Sequence, residues 1–234
     1  MPTTQIIFIA VFIVVAFAFS FFYSKFFGAK GYTQADLDNR VKNITEQEIT
    51  DFYSSELKDC LKQLDGKQVL AASCLFHAPG TKEHMKNGFK DFLYGLCTLG
   101  MVKFRTVYVA TPLILAEDGL HIIELDKSEE VKKHYIFEND RLAEAKITPC
   151  DDPVARKQLS ATAAFFTLSF PDNGGVKELS LCTEFYPTQE KYMLYSFNKK
   201  LIAAATGRHF LKKLGEKFTH LQVDFNKKDT LTFY

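Results

Sequence analysis

Cys74 and His77 stand three residues apart and pair a thiol with an imidazole, the residue types of a nucleophile and its base. Their closeness argues against that use, because nucleophile and base normally come from distant parts of a chain. The six histidines, His77, His84, His121, His134, His209 and His220, show no metal-ligand spacing. Asp151-Asp152 could hold a cation, but two adjacent acids beside Pro153 read as solvent-facing. The five cysteines, Cys60, Cys74, Cys97, Cys150 and Cys182, are widely spaced and form no C-x-x-C. They read as ordinary reduced thiols. There is no phosphate-binding glycine loop, no G-x-G-x-x-G, no H-E-x-x-H and no G-x-S-x-G. The sequence therefore assigns no catalytic residue, no metal ligand and no cofactor. An enzyme of unrecognised type would have Cys74, His77, His121 or His134 as its reactive groups.

The remaining chemistry is positive charge. Lys132-Lys133, Lys199-Lys200, and Arg208, Lys212, Lys213 and Lys217 are the candidate contacts for a protein partner or an anionic lipid. The whole chain holds 29 basic and 28 acidic residues, a net charge of +1. That balance argues against a nucleic-acid partner.

Several elements must position these residues. The first is an apolar run from Ile6 to Phe22, broken only by Ser20 and followed by Lys25. As a helix it would extend roughly 26 Å at about 1.5 Å per residue, the short end of what spans a bilayer. Residues 1–5 carry no basic side chain and no small-residue cleavage site follows, so the run reads as a retained anchor rather than a signal peptide. Lys25, Lys30, Arg40 and Lys42 follow it, which places the C-terminal part on the cytoplasmic side. The expectation is a single-pass membrane protein: anchor 1–27, polar tether 28–45, soluble domain 46–234. Asn43-Ile44-Thr45 would be a glycosylation acceptor only in a lumen.

Within the domain, Thr45 and Glu48 make a capping box. The helical spacing of Ile49, Phe52, Tyr53, Leu57, Cys60, Leu61 and Leu64 predicts an amphipathic helix over 46–64, stopped at Asp65-Gly66. Gln68–Phe76 reads as a buried strand and 81–97 as a second helix. Arg105–Ala116 and Leu120–Leu125 flank Glu117-Asp118-Gly119, a hairpin signal. Val131–Phe137 alternates as a strand. Arg141–Ile147 reads as another, with helix as its competitor. A hairpin follows over Thr162–Phe170 and Val176–Phe185, then a short strand at Tyr192–Phe197. An amphipathic helix over about 207–221 carries Phe210, Leu211, Leu214, Phe218 and Leu221. The tail 222–234 could add a last β segment.

The order over about Gln68 to Leu221 resembles the pleckstrin-homology-like superfold, particularly its bacterial and GRAM-like branches. The stretches carrying the likeness are Leu113 to Leu125, His134-Tyr-Ile-Phe137 and Arg208 to Phe218. With the anchor before it, the expected fold class is α+β: the transmembrane helix read from Ile6–Phe22, then, as the resemblance implies, an antiparallel β-barrel or sandwich of about seven strands with extra helices and a C-terminal amphipathic helix. It also implies a binding module. The expected function is a membrane-anchored, cytoplasmic, non-catalytic binding or scaffold module. The alternatives are lipid sensing or transfer, and the unrecognised enzyme above. The hairpin tip, Glu117-Asp118, is acidic, so no phosphoinositide site carries over.

Overall fold

The computed structural model describes residues 33–76, 110–126, 128–150, 163–172 and 175–224, all within the unit Thr33–Tyr234. It opens on helix α1, Gln34–Asn43, capped by a reciprocal pair of bonds between Thr33 and Asp36. The stretch read as a tether thus contains a helix, and Leu37 buries it against the C-terminal helix. The expected capping box of Thr45 and Glu48 starts α2, Glu46–Glu56. The helix breaks at Leu57 and resumes as α3, Lys58–Leu61, with one 3-10 turn over Lys62–Leu64. Asp65 and Gly66 then take positive φ, 50° and 80°, and end it where the Asp-Gly pair predicts.

Seven strands follow among the described residues. β1 is Val69–Cys74, β2 Pro112–Ala116, β3 Gly119–Leu125 and β4 Val131–Glu138, and they form one antiparallel sheet in that order. The short helix α4, Asn139–Ala143, intervenes. β5, Lys146–Cys150, β6, Phe165–Asp172, and β7, Gly175–Cys182, form a second antiparallel sheet. The hairpin at Asp118-Gly119 forms, with Ala116 opposite Gly119. Gly119 has φ +154°, and a Cβ there would lie 2.2 Å from the Phe137 carbonyl oxygen.

Barrel closure and the membrane span are both corrected. First, among the described residues the sheets of four and three strands stay open and close no barrel. The cause lies at Arg141–Ile147, which is not one strand: α4 turns the chain at Asn139–Ala143, and β5 pairs with β6 instead of continuing from β4. The helix-favouring Arg141, Leu142 and Ala143 won that competition. Second, among the described residues no helix is long and apolar enough to cross a membrane. The run Ile6–Phe22 lies outside them, so the single-pass membrane assignment and the cytoplasmic side derived from it lose their support. The helix expected at 81–97, Cys97, His77, His84, Asp151-Asp152 and the tail beyond Asp224 also lie outside the described residues.

Tyr192–Phe197 is not a strand. Helix α5, Gln189–Met193, ends there, and α6, Phe197–Lys217, begins ten residues before the position expected. α6 is 21 residues long but carries Lys199, Lys200, Arg208, Lys212, Lys213 and Lys217, so it is amphipathic. It is the spine of the unit. Phe210, Leu211 and Leu214 pack with Leu113, Leu120 and Phe137 of the first sheet and Phe166, Leu168 and Phe170 of the second. Ala203 belongs to a second cluster, where Ile49, Tyr53, Leu57 and Leu64 cover Ala72, Cys74, Ile114 and Ile123. Gly207 permits close approach, since a Cβ there would lie 2.6 Å from the backbone of Thr183 and Glu184.

Candidate interaction surface

Aromatic and acidic residues build a rigid elbow where α5 meets α6. Thr188 caps α5 by accepting from the Lys191 amide, and Ser196 caps α6 by accepting from the Lys199 amide. Between the caps, Tyr192 and Tyr195 stand three apart and turn inward, both buried. The Tyr192 hydroxyl donates to the buried Glu184 carboxylate. The Tyr195 hydroxyl donates to Glu56 Oε2 at 2.8 Å. Lys199 Nζ reaches Glu56 Oε1 at 2.7 Å, and Lys191 Nζ reaches Oε2 at 3.2 Å. One carboxylate of α2 therefore gathers both helices of the elbow. Burial pushes the Glu56 carboxyl up, but the bonds from Lys199 and Tyr195 and the charge of Lys191 outweigh it, and its pKa lies below the usual value.

An aromatic ladder continues the anchorage. Ring centroids are 5.7 Å apart for Tyr192–Tyr195, 5.1 Å for Tyr186–Tyr192 and 5.4 Å for Phe76–Tyr186. Lys199 Nζ sits 4.3 Å above the Tyr195 ring and Lys200 Nζ 5.5 Å from the Tyr192 ring.

Because the tyrosines point in, their neighbours point out. Met193 is 68% exposed, Leu194 86% and Phe197 51%. A single exposed apolar side chain is ordinary, but three within five residues on one fixed corner make a patch. The sequence hides this patch because the aromatic-rich YMLYSF reads as a strand. The signals that reveal it are the cap residues Thr188 and Ser196 and the Tyr192/Tyr195 spacing.

The basic residues nominated from the sequence do not gather into one site. Lys132 and Lys133 are exposed on β4, Lys133 reaching over Tyr135. Lys199 and Lys200 lie at the elbow. Arg208 Nη1 is 3.9 Å from Asp38 Oδ1. Lys212 pairs with Glu216 at 3.7 Å, and Lys213 pairs with Glu46 at 3.2 Å and Glu216 at 3.3 Å. Lys217 Nζ donates to the carbonyls of Ala116 at 2.7 Å and Glu117 at 2.6 Å. Most of these cations thus serve the fold.

The reactive candidates also separate. Cys74 is buried, and desolvation raises its thiol well above the ordinary value, which suppresses the thiolate. Burial likewise lifts Cys60, to about 11, and Cys182. His121 and His134 do come together: His121 Nδ1 lies 2.8 Å from His134 Nε2, and His121 Nε2 lies 2.8 Å from Asp118 Oδ1. Among the described residues no group of three acids, histidines or cysteines is arranged to hold a metal ion.

No protein family, curated protein or solved structure matches this chain. Its own geometry therefore carries the functional argument.

Proposed function

We propose that the protein is a non-catalytic interaction module that binds a protein partner through the elbow Met193–Phe197. The observation that supports this is the joint exposure of Met193, Leu194 and Phe197 on a corner held by Glu56, Tyr192 and Tyr195. The backbone that carries them is held by these buried contacts, so a partner need not order the chain before covering the patch. Lys191, Lys199 and Lys200 lie within three residues of the patch in sequence, against one negative charge from Glu56, so a partner segment bearing carboxylates beside its apolar residues is favoured. The likeness to the pleckstrin-homology-like superfold belongs to the same proposal. Four strands, three strands and a closing helix are compatible with that order, with the barrel left open.

A displayed random-peptide library selected on the full chain tests the reading. The selected peptides should share an apolar face with acidic flanks and lose binding to a Met193→Asp/Phe197→Asp variant. Peptides that bind this folded variant as well as the parent would place the interaction elsewhere and defeat the proposal.

A further inference from the structure

The histidine pair does something the elbow does not explain. His121, on β3, is fully buried, and both its ring nitrogens are engaged, with Asp118 and with His134 on β4. Partial burial pushes the Asp118 carboxyl up, but bonds from Lys67 Nζ at 2.6 Å and from His121 hold it down to about 2. A carboxylate only accepts, so His121 Nε2 carries the proton. The Nδ1 of a neutral His121 is then an acceptor, and His134 Nε2–H donates to it. One added proton can enter on His134 Nδ1 without disturbing this chain of bonds. A second leaves both rings fully protonated, and it sets two N–H groups and two positive rings against each other across 2.8 Å.

We infer that His121 and His134 form an acid-operated latch between β3 and β4, closed with none or one added proton and opened by the second. β4 is an edge strand, paired on one side by β3 among the described residues, so it is the strand free to yield. The charges around the pair oppose one another. Desolvation, then the charges of His121 and Lys67, disfavour protonation of His134 and outweigh Asp118 and Asp65, which favour it. Lys217, bonded to the Ala116 and Glu117 carbonyls, and the Glu117 carboxylate flank Asp118. Lys133 and Glu124 lie one step along the β3–β4 ladder, and Tyr135 stands beside His134 on β4. Cys60, on the helices covering this face of the sheet, stays a neutral thiol.

Amide hydrogen exchange on the full chain between pH 8 and 5, corrected for intrinsic chemistry, reads the latch directly. Protection of the β3–β4 ladder should fall by about tenfold per pH unit once the second proton binds, while the β6–β7 ladder holds. His134→Gln keeps a donor for His121 but cannot titrate, and it should abolish the dependence. Equal behaviour of the two ladders, or an unchanged dependence in His134→Gln, overturns the latch. Ring-nitrogen shifts of the unsubstituted chain give a second reading that needs no variant. The His134 step should lie below the ordinary imidazole value and accompany the loss of β4 protection, and a His134 step at or above that value overturns the latch.

Discussion

At Glu56 one side chain decides how the candidate surface is held. Its carboxylate is nearly enclosed and accepts from Tyr195, Lys199 and Lys191. Nothing in the sequence marks it, because Tyr195 lies 139 residues away and such a pairing has no periodic signature. The lysines were legible as charges but not as partners, since an ion pair depends on which helices meet. Tyr195→Phe removes one hydrogen bond to a buried charge and should cost about 1.5–3 kcal/mol at neutral pH. Folding holds the Glu56 pKa below 4.5, so the stability it contributes is present above that value and is lost as pH falls through the folded-state pKa. The cost of Tyr195→Phe should therefore shrink between pH 7 and pH 3. Urea midpoints of parent and variant at both pH values measure it, and an equal cost at both would show that the hydroxyl does not depend on the charge.

At the scale of elements, the strong local signals placed most of the framework. Thr45-x-x-Glu48, Asp65-Gly66 and Asp118-Gly119 are each complete within a few residues, and each does locally what its chemistry predicts. The failures fall where two elements compete for one stretch. Arg141–Ile147 alternates like a strand yet begins as a helix, and YMLYSF is rich in strand-favouring aromatics yet joins two helices. The start of α6 is hidden because Leu201 to Gly207 shows no one-sided apolar stripe, and α1, α2 and β1 all pack on the helix. The last helix also differs in detail: Phe210 and Leu214 are fully buried, whereas Phe218 is half-buried at the edge of the core. Phe210→Ala should accordingly cost about 3–5 kcal/mol, and Phe218→Ala clearly less. Thermal unfolding of the two variants orders them, and a reversed order would mean that α6 does not pack on the sheets through Phe210.

Across the whole molecule, pH is the variable that joins these parts. Desolvation first, then the charges of His121 and Lys67, lowers the pKa of His134, and desolvation with the charge of Lys213 lowers that of His209. A histidine lowered on folding is protonated more readily in the unfolded chain. Its contribution is therefore complete above the unfolded value of about 6.5 and is lost as pH falls from there toward the folded-state pKa. Each such group can remove at most about 1.4 kcal/mol per pH unit in that window, so the two together set a ceiling of about 2.8. Asp118 acts lower, between its ordinary 3.8 and about 2. Global stability should thus be flat from pH 8 to about 6.5, decline toward pH 5, and decline again in strong acid. Urea midpoints across that range trace it. His209 lies on α6, away from the β3–β4 latch, so His209→Gln should lessen the first decline while leaving the selective loss of β4 protection in place. A midpoint that stays level or rises between pH 7 and pH 5 would mean that neither imidazole is shielded from protonation by the fold. If His209→Gln also removed the β4 effect, the local opening and the global transition would be one event, and the two sheets would unfold as a single cooperative unit.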